Sequence, residues 1–227
     1  MRRRYTCAMN NHTERFIALA REAGALKFGR FELKSGRISP YFFNAGQFCD
    51  GRLIAEVADC YADAIAASGI GFDVIFGPAY KGIPLAATVA ASLWRRQGRS
   101  VPVAYNRKEV KDHGEGGQLV GAPLAGRVLV VDDVISAGTA FAEACELIEG
   151  AGARVAALAV GLDRQERGHG ETPAATEIAA SGAQLVAVAT LDSLIAVIEA
   201  SGREPSNSDL LSAMLEYRLQ YGASDPF

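Results

Sequence analysis

The sequence predicts an α/β protein with a central, mostly parallel sheet that is flanked by helices. Apolar runs such as RVLVV at 127–131 and RVAALAVGL at 154–162 do not alternate with polar residues, which is typical of strands covered on both faces. From residue 51 onward, such runs alternate with stretches of helical periodicity. The chain has 227 residues, of which 49% are hydrophobic, so it can bury the core that this sheet requires.

The elements follow one another in a regular order. Apolar residues at helical spacing predict a first helix at 13–23 that ends near Gly24. Residues 25–48 contain short β-like pieces interrupted by glycines and a proline, and we expect them to form a small N-terminal hood beside the sheet. Further helices are predicted at 52–68, 83–96 and 139–150, and strands at 73–77, 101–106, 127–131, 154–162 and 184–191.

Domain organisation and location are predicted from composition. No internal repeat or low-complexity linker divides the chain, so residues 13–227 should form one domain after a flexible tail at 1–12. The N-terminus lacks the apolar segment of a signal peptide, and no apolar run is long enough to span a membrane. The four cysteines are scattered, which favours reduced thiols and a cytoplasmic protein. A net charge of −3 gives no reason to expect nucleic-acid binding.

The stretch VLVVDDVISAGTA at 128–140 gives the strongest indication of chemistry. Asp132 and Asp133 directly follow a buried strand, and sheets of this class bind ligands beyond the carboxyl ends of their strands. A single Asp would most simply cap the next helix. The glycine and hydroxyl residues at 136–139 add an anion-binding helix N-terminus. A sugar phosphate suits both parts, since its hydroxyls can donate to the carboxylates while its phosphate enters the loop.

This stretch resembles the signature of type I phosphoribosyltransferases, which bind 5-phosphoribosyl 1-diphosphate. FELKSGRISPYFFNAG at 31–46, FGPAYKGIPLA at 76–86, NRKEVKDHGEGGQLVG at 106–121 and LDRQERG at 162–168 are similar to the bacterial orotate phosphoribosyltransferase family. The resemblance covers most of the chain. It implies the type I phosphoribosyltransferase fold and transfer of a phosphoribosyl group to orotate, giving orotidine 5'-monophosphate and diphosphate in de novo pyrimidine biosynthesis. Mg²⁺ is the implied cofactor, held mainly by ligand oxygens and water and by no side chain directly.

The resemblance also implies the residues of the site. Catalysis is assigned to Lys111, His113, Asp132 and Asp133. The residues implied for phosphoribosyl diphosphate are Lys34, Tyr80, Lys81, Arg107, Lys108, Lys111, His113, Asp132, Asp133, Val134, Ile135, Ser136, Ala137, Gly138, Thr139 and Ala140. The residues implied for orotate are Phe42, Phe43, Ser136 and Arg164. Ser136 stands where many relatives carry Thr, and because the hydroxyl is retained we expect a small effect on positioning.

The basic stretch at 106–121 is interpreted as a mobile lid. A charge run is most often a solvated surface loop. Cations between glycine hinges, however, also suit a lid that closes over a departing diphosphate. The connection is long for a compact domain, a length that usually signals function. In relatives this loop reaches the neighbouring subunit's site, so we predict a homodimer that shares its lids.

Two features of the orotate side follow from chemistry alone. Phe42 and Phe43 are adjacent in a strand, so at most one of the two side chains need face a ligand. The guanidinium of Arg164 fits a carboxylate in a bidentate way, although a lone Arg is more often a surface residue. Two other functions stay open: another type I phosphoribosyltransferase acting on a purine or uracil, and a non-catalytic regulator that senses the ligand. The orotate-type hood disfavours the first, and the intact lid disfavours the second.

Overall fold

The computed structural model describes residues 11–33, 36–111, 117–135, 139–167, 174–201 and 205–222. The helices in these ranges are α1 (Asn11–Glu22), α2 (Gly51–Ser68), α3 (Gly82–Gln97), α4 (Thr139–Gly150), α5 (Ala174–Ala180), α6 (Leu191–Ala200) and α7 (Pro205–Tyr221), with a short 3₁₀ helix at Ala45–Gln47. The strands are β1 (Leu26–Glu32), β2 (Ile38–Phe43), β3 (Val74–Gly77), β4 (Val103–Lys111), β5 (Gly117–Gly121), β6 (Arg127–Val134), β7 (Arg154–Asp163) and β8 (Gln184–Thr190).

The main sheet has the strand order β5-β4-β3-β6-β7-β8. All neighbouring pairs are parallel except β4 with β5. Strand β6 occupies the middle, where Val130 pairs with Phe76 of β3 and with Leu158 of β7. The predicted fold class, a mostly parallel sheet flanked by helices, is confirmed. Because β6 is central, its last residues emerge in the middle of the carboxyl edge of the sheet.

Each face of the sheet is covered by its own hydrophobic core. Leu129 and Val131 of β6 belong to the core that includes residues of α1, α2, α3 and α6. Val128 and Val130 point the other way, into the core that includes residues of α4 and α5. All four side chains are fully buried, which explains why this stretch shows no polar alternation.

The hood consists of the antiparallel pair β1 and β2, which forms a separate two-stranded sheet. The C-terminal helix α7 packs against β2. Tyr41 of β2 is completely buried, and its ring centroid lies 6.1 Å from that of Tyr217 on α7. The hood is therefore packed against α7.

The lid segment differs from the predicted loop. Strand β4 continues to Lys111, and β5 runs antiparallel to it at the edge of the sheet. The prediction ended the strand at Asn106 and treated 106–121 as a loop because its cations lie among glycines. Charged side chains do not prevent backbone pairing at a sheet edge, where they can remain in solvent. Most of the lid segment described by the structure is therefore extended, and residues 112–116 lie outside the described ranges.

Two other boundaries also differ from the prediction. Helix α1 begins at Asn11, so its first two residues fall within the segment that was predicted to be a tail. Polar residues are acceptable there because the first turn of a helix is often exposed. Strand β6 continues to Val134, so Asp132 and Asp133 lie inside the strand and not after it. No helix among the described residues is long and apolar enough to cross a membrane.

A polar cluster joins α2 to the C-terminal part of α3. We call it the Asp59 cluster; it consists of Asp59, Ser92, Arg95 and Arg96. Ser92 Oγ donates to Asp59 Oδ1 at 2.6 Å, Arg95 donates to the same oxygen, and Arg96 Nη1 lies 3.5 Å from Oδ2. Asp59 is only 8% exposed, so these partners compensate for the burial of its charge.

We predict that Asp59→Asn lowers the free energy of unfolding by about 2 kcal/mol, because it leaves partners of a buried charge unsatisfied. Asp63→Asn is the matched control. Asp63 pairs with the same Arg96 but lies in a more exposed position, where ion pairs contribute at most about 1 kcal/mol. Urea denaturation of both variants measures the difference. Equal destabilisation by the two substitutions would contradict a special contribution from the buried carboxylate.

Candidate active site

Asp132 and Asp133 form an acid pair near the end of β6. Asp133 is 6% exposed and accepts a hydrogen bond from Lys81 Nζ at 2.7 Å. The backbone N–H of Asp133 donates to Asp132 Oδ1 at 2.8 Å. Burial, and secondarily the charge of Asp133, raise the pKa of the Asp132 carboxyl. The ionised form of the acid pair is therefore stabilised when a cation or hydroxyl donors bind next to it.

Tyr61 of α2 supports the backbone at the acid pair. Its side chain is fully buried, and its hydroxyl donates to the main-chain oxygen of Asp132 at 2.9 Å. Burial raises the pKa of Tyr61 well above its ordinary value, so the hydroxyl keeps the proton that it donates. Gly161 of β7 leaves room for this contact, since a Cβ there would lie 2.7 Å from the Tyr61 hydroxyl oxygen.

The loop between β3 and α3 lies against β4. The N–H of Ala79 donates to Asn106 Oδ1 at 2.8 Å. Tyr80 is 64% exposed, and Lys108 Nζ lies 5.2 Å from the centroid of its ring. Arg107 of β4 is partly buried. A cavity of about 360 Å³ in this region is lined by Pro78, Ala79, Asn106, Lys108, Gln118, Glu143 and Ala144, and its volume is typical of small-molecule sites.

Arg164 directly follows β7, the strand beside β6. Its side chain is only 13% exposed. Nε donates to Glu166 Oε1 at 2.7 Å, and Nη2 donates to the Tyr217 hydroxyl at 3.1 Å. The guanidinium carbon lies 4.5 Å from the centroid of the Tyr41 ring. The Arg164 side chain is therefore mostly buried and fixed by several partners, unlike that of an ordinary surface arginine.

The two hood phenylalanines face opposite sides. Phe42 is 39% exposed, and its ring centroid lies 5.6 Å from that of Phe31. The Phe43 ring packs in the core, with centroids 6.1 Å from Phe16 and 6.3 Å from Phe48. Phe42 is the more exposed of the two side chains, but Tyr41, on the opposite face of β2, is the hood residue whose ring contacts Arg164. Any contact from Phe43 to a base would have to come from its backbone.

Some predicted site residues are not placed. Lys34, His113, Ser136, Ala137 and Gly138 lie outside the described residues. For three more, the structure describes the backbone alone: Lys111 ends β4, and Thr139 and Ala140 begin α4. Val134 ends β6 and Ile135 follows it, and both are partly buried.

Lys81, the acid pair and Arg164 lie along one edge of the main sheet, whereas Phe42 and Phe43 belong to the separate hood sheet. The ends of β3, β6 and β7, which are neighbours, carry Lys81, the acid pair and Arg164 respectively. Sequence reasoning missed Tyr61, Glu166 and Tyr217. Glu166 lies within the LDRQERG stretch, but its role depends on Tyr217, which is 51 residues further along the chain. No local pattern could connect them.

The donor set at the acid pair fits a hard cation that brings most of its own ligands. Among the described residues, no three His, Cys, Asp or Glu side chains lie close enough together to hold a metal ion. Two adjacent carboxylates can still attract a hydrated ion such as Mg²⁺, which prefers oxygen and keeps several waters. Its ligands would come from a diphosphate and from water.

Comparisons with known proteins place this geometry in a family. Residues 45–174 match the phosphoribosyl transferase domain. An orotate phosphoribosyltransferase from Saccharophagus degradans is 51% identical over 215 residues, covering 94% of this chain and 99% of the relative. One from Chromobacterium violaceum is 53% identical over 218 residues, covering 96% and 100%.

Solved structures agree. The crystal structure of the Francisella tularensis orotate phosphoribosyltransferase superimposes with a TM-score of 0.82 at 38% identity, covering 91% of this chain and 98% of the other. That of the Aeropyrum pernix enzyme gives a TM-score of 0.64 at 31% identity, covering 82% and 98%. The chain therefore belongs to the orotate phosphoribosyltransferase family.

Proposed function

We propose that the chain transfers the phosphoribosyl group of 5-phosphoribosyl 1-diphosphate to orotate, giving orotidine 5'-monophosphate and diphosphate. The observation that carries this proposal is the buried acid pair Asp132–Asp133, which lies at the centre of the carboxyl edge between Lys81 and Arg164. One side of the acid pair offers cations for a diphosphate, and the other offers a guanidinium for a carboxylate. A ring nitrogen of orotate displaces diphosphate at the anomeric carbon that lies between them.

The acid pair holds the sugar. Ribose hydroxyls donate to the carboxylates of Asp132 and Asp133, which orients the anomeric carbon for in-line displacement. Without substrate, Lys81 neutralises Asp133. Its side chain is 55% exposed, so Lys81 can turn towards the diphosphate once the sugar hydroxyls have replaced its contact with Asp133. The loop at 136–140 receives the 5-phosphate in this proposal.

Cations of the lid segment stabilise the leaving diphosphate. Arg107 and Lys108 lie on β4, Lys108 Nζ is 5.2 Å from the ring centroid of the exposed Tyr80, and Lys111 ends the same strand. Positioned positive charge lowers the barrier most when it meets charge that develops in the transition state. We assign this role chiefly to Lys111 and His113. Bound Mg²⁺, attracted by the carboxylates of Asp132 and Asp133, would supply further neutralisation of the diphosphate charge.

Orotate binds between the hood and Arg164. The guanidinium receives the carboxylate of orotate, and the backbone at Phe42 and Phe43 contacts the planar ring, because Tyr41 and not Phe42 lies on the face of β2 that meets Arg164. A hydroxyl at Ser136 would complete this pocket. The Arg164 contact is what distinguishes orotate from uracil, which lacks the carboxylate.

We further infer a homodimer in which the lid segment of one subunit reaches the site of the other. Supporting this, the lid segment forms the outer edge of the sheet, as β5 and the adjoining part of β4. A two-fold interface would give both sites the same arrangement. A cytoplasmic location stays a prediction from the scattered cysteines, of which Cys60 is buried and Cys49 exposed.

We predict that Asp132→Asn lowers kcat by about 100-fold or more, since it removes a charge that faces the sugar.

The same variant should unfold at a higher temperature than the wild-type protein near neutral pH. The pKa of Asp132 is raised in the folded protein, so ionisation of this group destabilises the fold as pH rises through that value. The Tm advantage of the variant should therefore increase from about pH 4 to about pH 8.

Steady-state kinetics with orotate, and thermal unfolding across this pH range, measure both effects. Uracil and a purine base serve as control acceptors. Wild-type turnover of a purine in place of orotate would refute the proposed substrate. A variant whose Tm is lower than that of wild type at every pH would refute the stability part.

We predict that Lys111→Ala lowers kcat more than it raises KM, because its charge matters most as diphosphate departs. A rise in KM alone would show that the lid segment binds substrate and transition state equally.

The shared site is tested by mixing Lys111→Ala with Asp133→Asn subunits. After subunit exchange, each heterodimer should contain one site built from intact parts and one with both defects. Activity should rise above that of either parent, towards one working site per dimer. If mass measurements confirm exchange and no activity returns, the lid segment serves its own subunit.

A further inference from the structure

A network of two buried and three partly buried side chains surrounds the end of β7, apart from the acid pair. We call it the Arg164 network; its members are Arg37, Tyr41, Arg164, Glu166 and Tyr217. They come from the hood, from the segment after β7 and from α7 near the end of the described chain. The proposed function uses only Arg164 among them, so the role of the other members is an open question.

Glu166 lies at the centre of the network. Its Oε1 accepts from Arg164 Nε at 2.7 Å and from the Tyr217 hydroxyl at 2.6 Å. Its other oxygen, Oε2, lies 3.3 Å from Arg37 Nη1. Two guanidinium groups therefore share one carboxylate, and these three side chains carry one net positive charge. An incoming anion would be attracted by this charge.

Tyr217 holds the guanidinium of Arg164 from a second direction. Its hydroxyl accepts from Arg164 Nη2 at 3.1 Å while it donates to Glu166. Burial, and then the hydrogen bond to Glu166, raise the pKa of Tyr217 to about 12, so the hydroxyl stays protonated at neutral pH. The donation to Glu166 and the acceptance from Arg164 can thus occur together.

Tyr41 holds the face of the same guanidinium. Its ring centroid lies 4.5 Å from the guanidinium carbon, and the Tyr217 ring meets the Tyr41 ring edge-on at 80°. Glu166 and Tyr217 fix the rotation of the guanidinium within its plane, while Tyr41 fixes the plane itself. Bidentate binding of a carboxylate requires the right in-plane rotation and the right plane of the guanidinium.

We infer that Glu166 and Tyr217 are positioning residues for the base. They hold Arg164 in the orientation in which it receives the orotate carboxylate, and through Tyr217 the helix α7 takes part in substrate discrimination. This inference rests on the proposed function, because it takes orotate as the partner of Arg164. A long side chain loses conformational freedom when it binds, and orienting it beforehand removes that cost from the binding step.

Tyr217→Phe is the first test, with Tyr221→Phe as matched control. Tyr221 lies on the same helix, with its ring centroid 5.0 Å from that of Tyr217, and loses the same hydroxyl. We expect Tyr217→Phe to raise the dissociation constant and KM for orotate about tenfold, with KM for phosphoribosyl diphosphate unchanged. Binding of orotamide, the neutral analogue of orotate, should not change. The control should match wild type in all four constants.

Glu166→Gln separates orientation from charge. The amide removes one negative charge, which by electrostatics alone would tighten orotate binding. If Glu166 positions Arg164, orotate binding should weaken about tenfold despite the added positive charge. Circular dichroism and thermal unfolding show which variants are folded. If one of Tyr217→Phe and Glu166→Gln does not fold, the binding constants of the other variant test the inference.

The outcomes separate the two proposals. Tighter or unchanged orotate binding by Glu166→Gln, or identical behaviour of Tyr217→Phe and Tyr221→Phe, overturns the positioning role. Equal weakening towards orotate and orotamide also overturns it, since the effect would then not depend on the carboxylate. A wild-type protein without orotate turnover refutes the proposed function instead, whereas the binding constants can still be compared.

Discussion

The placement of two adjacent carboxylates on the central strand, with Asp133 buried and Asp132 partly buried, is the constraint that organises this site. A buried charge is unfavourable unless it is paired or hydrogen-bonded. Lys81 supplies the pairing for Asp133, and the backbone N–H of Asp133 supplies a donor for Asp132. Tyr61 holds the main-chain oxygen between them from below. The helix α2, the β3–α3 loop and the strand β6 thus all contribute groups to the acid pair. These groups compensate only part of its negative charge, so a ligand with cations or hydroxyl donors can compensate the rest.

The position of the acid pair depends on packing further down β6. Alternate residues of this strand enter two different cores, and neighbouring strands hold it from both sides. Groups on such a strand are placed more exactly than groups on loops, because the backbone has little freedom. The lid segment is the opposite case. It occupies the edge of the sheet, where one side of each pairing is open.

The Arg164 network extends the same logic to the proposed base site. Arg164 would be mobile on the surface, but Glu166, Tyr217 and Tyr41 enclose it. The guanidinium thus adds a polar link between the hood and α7 to the direct contact of Tyr41 with Tyr217. In the proposed function, substrate recognition and the docking of α7 would share the same hydrogen bonds, which would give α7 a part in the base site although it lies far from the acid pair in sequence.

The sequence by itself determined the fold class, the order of the strands along the chain and the location of the acid pair, because these depend on local periodicity and on a compact motif. It also placed Phe42 and Phe43 on opposite faces, since alternation is a property of any strand. It left the lid segment as a loop, because the pairing of β4 with β5 at the edge is made by backbone groups that side-chain patterns do not report. Only the tertiary structure decided which phenylalanine enters the core, that Tyr61 supports Asp132, and that Tyr217 meets Arg164. These contacts join residues separated by 27 to 71 positions, and the long-range packing that creates them leaves no periodic trace in the chain.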